Sequence, residues 1–297
     1  MSRHEPARFQ FTSSDGLPIA SERWSGRRPV RGVVQIAHGL GEHMGRYGEF
    51  ADMLVRADFV VYGNDHRGHG NTANGTENFG DFGLGGFDQL IEDMVSLRVI
   101  AKEEHPGKPY FLLGHSMGSF AAQQFVLDHS HSISGLMLSG SGILDGLARV
   151  ARKLPKADDW TRLMNAPFEP ARTPFDWLSR DDAEVDAFID DPLCFSSLKT
   201  SAMTSFLGAS ARLADPREIR KVREDLPVYM FSGSDDPVGL RSEGVRTLAD
   251  RYRSVGMTSV ALEFYPGGRH EMVHEINRIQ VFTDLLGWMS GIVDKAS

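Results

Sequence analysis

Along the first half of the chain, short apolar runs rich in β-branched residues alternate with longer stretches of helical spacing. Val30–Ala37, Phe59–Gly63, Tyr110–Leu113 and Gly135–Ser139 read as strands, because each is too short for a buried helix and is bounded by turn-forming or polar residues. The segments between them, 48–57, 87–104 and 117–129, carry the helical pattern. Strand–helix–strand order of this kind gives parallel strands buried on both faces. Upstream, Ala7–Thr12 and Pro18–Trp24 flank the turn pair Asp15-Gly16, which predicts an antiparallel hairpin at the sheet edge. The expected sheet is therefore mixed.

From about Leu147 to Glu224 the pattern becomes helical and loop-like, punctuated by Pro155, Pro167, Pro170, Pro174, Pro192 and Pro216. We read this segment, 147–224, as a helical cap inserted into a core formed by 1–146 and 225–297. Strand patterning returns at Pro227–Phe231 and Val260–Tyr265, with a helix over Ser242–Ser254 between them and a last helix near Ile276–Ile292.

Composition narrows the function. The chain has 297 residues, 41% of them apolar, enough to bury a sizeable core. Its 32 Lys+Arg against 40 Asp+Glu give a net charge of −8, which opposes nucleic acid and anionic membrane surfaces. Cys194 is the single cysteine, so neither an internal disulfide framework nor a thiolate zinc cluster is available. A reducing, cytoplasmic setting is expected. Met1–Phe11 lacks the apolar stretch of a signal peptide, and no run approaches the ~18 apolar residues that cross a bilayer. Contact with a membrane is expected to be peripheral at most, through the cap.

The most specific chemical signal is Gly114-His115-Ser116-Met117-Gly118, between the strand Tyr110–Leu113 and the helix that follows. A turn in this context strains the backbone and presents a serine hydroxyl at a helix N-terminus, and its glycines stand where a Cβ would collide. Such a serine needs a base and an acid downstream. Ser232-Gly233-Ser234-Asp235-Asp236-Pro237 follows a strand and offers two aspartates; Asp236, just before proline, is preferred for its extended backbone, with Asp235 as the rival. Pro266-Gly267-Gly268-Arg269-His270 follows the last strand, so His270 is the expected base, with His274 as the alternative. Oxyanion donors are expected from the backbone N–H groups of Leu40, in the turn His38-Gly39-Leu40-Gly41, and Met117. A dinucleotide fingerprint fails because Met44 stands where glycine is required, and Gly80–Gly86 lacks a phosphate-loop Gly-Lys-Ser/Thr. The histidines of Asp65-His66-Arg67-Gly68-His69 lack a zinc hydrolase's third ligand, so no metal and no cofactor is expected, and Asp65–Gly70 reads as a loop that braces the Ser116 turn. In the cap, aromatic and aliphatic residues including Phe168, Phe175, Trp177, Phe188, Phe195 and Phe206 suit an acyl pocket, and Cys194 is either part of its lining or filler.

Taken together, Tyr110–Gly118, His38–His43 with Arg46-Tyr47, Asn64–Gly70, Asp236 and His270 resemble the monoacylglycerol lipase and lysophospholipase branch of the α/β-hydrolase superfamily. Leu178–Asp181 and Asp190–Cys194 of the cap are similar to that branch too. The resemblance implies an α/β-hydrolase fold with an eight-stranded, mostly parallel sheet, a helical lid, and serine hydrolysis of a carboxylic ester without a cofactor. It also implies that Glu42 and Arg46 lie near the polar end of the substrate; His115, next to Ser116, is expected to contact the substrate as well. The expected substrate is a small ester, a single-chain lipid such as a monoacylglycerol or lysophospholipid. Alternatives are a broad carboxylesterase, a serine aminopeptidase that uses a carboxylate such as Glu42 to hold an amine, and a non-catalytic binding member of the fold.

Overall fold

The computed structural model describes residues 4–152 and 159–296, which leaves Pro155 of the expected cap outside. Strands β1 (Ala7–Thr12), β2 (Pro18–Trp24), β3 (Gly32–Ala37), β4 (Phe59–Asn64), β5 (Tyr110–His115), β6 (Gly135–Ser139), β7 (Val228–Gly233) and β8 (Val260–Tyr265) form one sheet in the order β1-β2-β4-β3-β5-β6-β7-β8. β1–β2 and β2–β4 pair antiparallel, with Phe9 opposite Ser21 and Arg23 opposite Tyr62, and the remaining pairs are parallel. Helices α1 (Gly48–Arg56), α2 (Gly86–Glu104) and α3 (Met117–His129) follow β3, β4 and β5 in turn. Between β6 and β7 lie α4 (Leu144–Ala151), α5 (Asp159–Asn165), α6 (Asp182–Asp190), α7 (Thr200–Gly208), α8 (Ser210–Ala214) and α9 (Pro216–Ile219); α10 (Glu243–Ser254) and α11 (Arg278–Ala296) follow β7 and β8.

The continuous apolar strands are explained by two cores. Val34, Ile36, Phe111 and Leu113 pack on one face with Phe50 and Leu54 of α1 and Phe282 and Leu285 of α11. Their neighbours Val33, Leu112 and Leu136 pack on the other face with Leu90 and Met94 of α2, Phe120 and Phe125 of α3 and Leu248 of α10. Because a strand sends successive side chains to opposite faces, a strand covered on both is apolar nearly throughout, and the one polar side chain inside β3, Gln35, is hydrogen-bonded to Tyr110 Oη. β8, at the sheet edge, alternates between half-buried and exposed positions instead.

The expected cap boundary at 147 falls inside α4, which starts at Leu144. Two segments of the β6–β7 connection are tied to loops at the carboxyl ends of the parallel strands. In the first, Ser179 Oγ donates to the His274 carbonyl at 2.9 Å, and Arg180 bonds Glu275 at 2.9 Å and Asn277 at 3.0 Å. In the second, Asp191 meets His43 Nε2 at 2.9 Å and the Phe195 N–H donates to the Gly41 carbonyl at 2.9 Å. Gly41 is at φ +75°, and a Cβ there would lie 1.8 Å from the Phe195 carbonyl oxygen, so only glycine permits the approach.

Candidate active site

The loops that follow β3, β5, β7 and β8 meet at one end of the sheet, where open α/β folds bind ligands. Ser116 lies between β5 and α3 at φ +51° and ψ −120°, a conformation that costs a non-glycine residue about 1–3 kcal/mol. Its neighbours hold it there: the Ser116 N–H donates to the Ser139 carbonyl at 2.9 Å. A Cβ at Gly118 would stand 2.1 Å from the Ala37 carbonyl oxygen, and one at Gly114 2.4 Å from that of Gly118. These close approaches let α3 start directly against β3 and β5.

His270 is buried, with Nδ1 2.9 Å from Asp236 Oδ1. Asp236 is fixed in turn by the Val238 N–H at 2.9 Å and Ser232 Oγ at 3.2 Å, whereas Asp235 is exposed. Burial works against a proton on His270, but the Asp236 carboxylate outweighs it, and the imidazole's pKa is raised. The ring is held between His115 and Trp177, with centroids at 4.7 and 4.9 Å. His274 is drawn elsewhere, to Glu184 at 3.3 Å. Ser116 and His270 border one cavity of about 340 Å³. Among the described residues, Ser116 Oγ has no hydrogen-bond partner, and catalytic hydrogen bonds commonly tighten only with substrate in place.

Leu40 and Met117 border the same cavity. Met117 begins α3, where N–H groups lack intrahelical acceptors, and among the described residues neither its N–H nor that of Leu40 is donated elsewhere. The Leu40 turn is held by its neighbours: the His66 N–H donates to His38 Nε2 at 2.9 Å and the Met44 N–H to Asp65 Oδ1 at 2.8 Å. The Asp65–Gly70 loop therefore braces the turn after β3 and not, as its position suggested, the Ser116 turn itself.

Glu42, His115, Phe175 and Trp177 line the cavity; Arg46 and Cys194 do not. Arg46 is turned behind the wall, donating to Glu42 Oε2 at 2.8 Å and, with both terminal nitrogens, to the two oxygens of Glu271 at 2.7 Å. Glu42 also accepts bonds from the Gly39 N–H and from Tyr47 Oη. Burial alone would raise both carboxyls, yet Arg46 holds Glu42 well below the usual range and lowers Glu271. Burial is the largest influence on the Cys194 thiol and pushes its pKa up, so it is a poor nucleophile. His115 is pushed down to about 4 by burial and then by His270, and is neutral near pH 7. Much of the remaining wall is apolar, from Phe120, Leu147, Phe188, Phe206 and Leu207. Of the cap aromatics, Phe168 instead lies under Arg269, 4.5 Å from its guanidinium. Glu271, on the wall beside His270, was missed in the sequence; the available signal was an acid next to the base and an arginine seven residues after Gly39.

The sequence matches the family described as serine aminopeptidase, S33, over residues 28–277. The chain belongs to that family. It is 30% identical over 287 residues to a monoacylglycerol lipase of Mycolicibacterium smegmatis, covering 94% of this chain and 95% of that one. It is 28% identical to a mouse monoglyceride lipase, over 94% and 89%. Among solved structures, a thermostable carboxyl esterase from Bacillus coagulans in complex with glycerol superposes with a TM-score of 0.87 at 31% identity, over 97% and 99%. The fold is that of the α/β-hydrolases.

Proposed function

We propose that this protein, a carboxylic ester hydrolase, acts on a single-chain glycerol lipid, a monoacylglycerol before a lysophospholipid, through an acyl-enzyme on Ser116. The observation that carries the reading is the strained Ser116 on the wall of a mostly apolar cavity that His270, paired with Asp236, also borders. With Nδ1 engaged by Asp236, His270 Nε2 takes the Ser116 proton as Oγ attacks the ester carbonyl carbon. The Leu40 and Met117 N–H groups receive the oxyanion. The C–O bond to the alcohol breaks, and the alcohol leaves with the proton from His270. Water then gives a proton to His270 and attacks the acyl carbon, the acid departs, and the proton returns to Ser116.

Support for the lipid comes from the apolar wall, which suits an acyl chain, and from Glu42, His115 and Glu271, which give one side of the cavity a polar character suited to glycerol. The lipase and esterase relatives favour the same class. An aminopeptidase would need a carboxylate free to hold an amine; Glu42 and Glu271 are both committed to Arg46. No helix of the described residues is long and apolar enough to cross a membrane, and the unpaired Cys194 suits a reducing, cytoplasmic setting. Parallel assays on 1-acylglycerols of increasing chain length, lysophospholipids and aminoacyl anilides test the reading. We expect kcat/KM to rise from short to medium or long acylglycerols and to be at least ~100-fold lower for anilides, a gap of about 2.7 kcal/mol. Flat chain-length dependence, or faster anilide cleavage, would overturn it.

A further inference from the structure

The Arg46 network reaches both halves of the proposed reaction. Glu271 directly follows His270, its N–H donates to the Leu178 carbonyl at 2.7 Å, and its carboxylate takes both prongs of the Arg46 guanidinium. Arg46 continues to Glu42, which holds the Gly39 N–H immediately before Leu40. A continuous run of buried, charge-assisted bonds thus links the base loop to the oxyanion loop, and Phe188 of α6 closes over Arg46 with its ring centroid 5.1 Å from the guanidinium carbon. Two carboxylates share one guanidinium, so the cluster keeps one net negative charge beside the imidazole.

We infer that Glu271 is a positioning residue: through Arg46 and Glu42 it holds His270 and the Leu40 N–H at one spacing, and its charge supports the imidazolium formed when Ser116 gives up its proton. This rests on the roles proposed above for Ser116 and His270. The charged and titratable groups that act on His270 are Asp236 from the β7 loop, His115 from the β5 turn, Glu42 from the β3 loop and Glu271 itself, with Arg46 bonded behind the last two carboxylates. Arg269 is engaged by the Asp176 and Ser179 carbonyls. Removing the Glu271 charge takes the cluster from one net negative charge to none beside His270, so the proton affinity of the imidazole falls.

The test is steady-state hydrolysis of a p-nitrophenyl acyl ester from pH 5 to 9 by wild type, Glu271→Gln and Arg46→Lys, with active sites counted by a fluorophosphonate. Glu271→Gln is expected to lower kcat per titrated site by about 10–100-fold, as misplacement of reacting groups does. KM should change less than threefold, and the acidic limb of the kcat/KM profile should move to lower pH. Arg46→Lys, which keeps the charge but loses the two-pronged geometry, should lower kcat in the same sense. A purely structural role predicts fewer titrated sites with full turnover per site and an unmoved limb, and that result overturns the inference. If Glu271→Gln yields no titratable protein, Arg46→Lys decides by the same criteria. Failure of the wild type to be titrated at Ser116 would instead defeat the reading of the site.

Discussion

Asp235 and Asp236 share a turn, yet they differ in what their carboxylates meet: solvent and Ser234 for the first, His270 and the Val238 N–H for the second. We therefore predict that Asp236→Asn lowers kcat by about 10³–10⁴-fold through loss of the imidazole's orientation and charge partner, and that Asp235→Asn changes it less than twofold. Steady-state kinetics on the two variants decide this, and comparable losses in both would contradict it. At Gly41 the constraint is steric: Gly41→Ala sets a Cβ against the Phe195 carbonyl at a left-handed φ and should lower stability by about 1–3 kcal/mol, read from the denaturation midpoint. The order Ser116, Asp236, His270 was legible where chemistry dictates order along the chain, and the fold brings His270 against Asp236 and onto the cavity that Ser116 borders. Arg46 was not, because an arginine near an expected polar subsite looks like a substrate ligand until its partners from distant loops are known.

At the level of elements, the central strands were readable because burial on both faces leaves few polar positions, Gln35 of β3 being one, and errors were confined to ends: β3 begins at Gly32 and not at Val30, and α11 begins at Arg278 and not at Ile276. What periodicity could not supply was the role of the loop after β4. There His66 and His69 are buried against His38, with ring centroids 4.2 and 5.3 Å from it. Burial, the largest influence on all three, pushes each pKa down, for His69 to about 3. Unfolded histidines titrate near 6.5, so the unfolded chain takes up these protons first. Stability is thus full above about pH 6.5 and is lost as pH falls toward the folded values, at roughly 1.4 kcal/mol per pH unit for each histidine. His270, shifted the other way, changes stability only between its raised pKa and about 6.5 and so does not oppose this loss, while His115, pushed down to about 4, adds to it. The urea midpoint should drop steadily from about pH 6.5 to pH 5; a flat midpoint would contradict this.

Across the whole molecule, Arg67 joins three parts of the core: it bonds Asp93 of α2 at 2.8 Å, Asp15 of the β1–β2 turn at 2.9 Å and the Phe82 carbonyl at 2.9 Å. Asp93 is fully buried, so Asp93→Ala leaves much of a buried cation uncompensated and should cost about 3–5 kcal/mol, measured by equilibrium unfolding. The helical segment between β6 and β7 was visible as a loss of strand patterning, but its attachments at Ser179-Arg180 and Asp191–Phe195, among others, depend on pairings 90 or more residues apart that no local pattern encodes. The same holds for the cavity, whose wall is assembled from both parts of the chain. The claim on which the account turns is transient acylation of Ser116. Rapid-mix quenching with a chromogenic acyl ester, followed by peptide mass mapping, tests it directly. We predict a burst of about one alcohol per chain, with the acyl group on the Ser116 peptide and both lost in Ser116→Ala. Undiminished ester hydrolysis by Ser116→Ala, or an acyl group mapped to another residue, would contradict it.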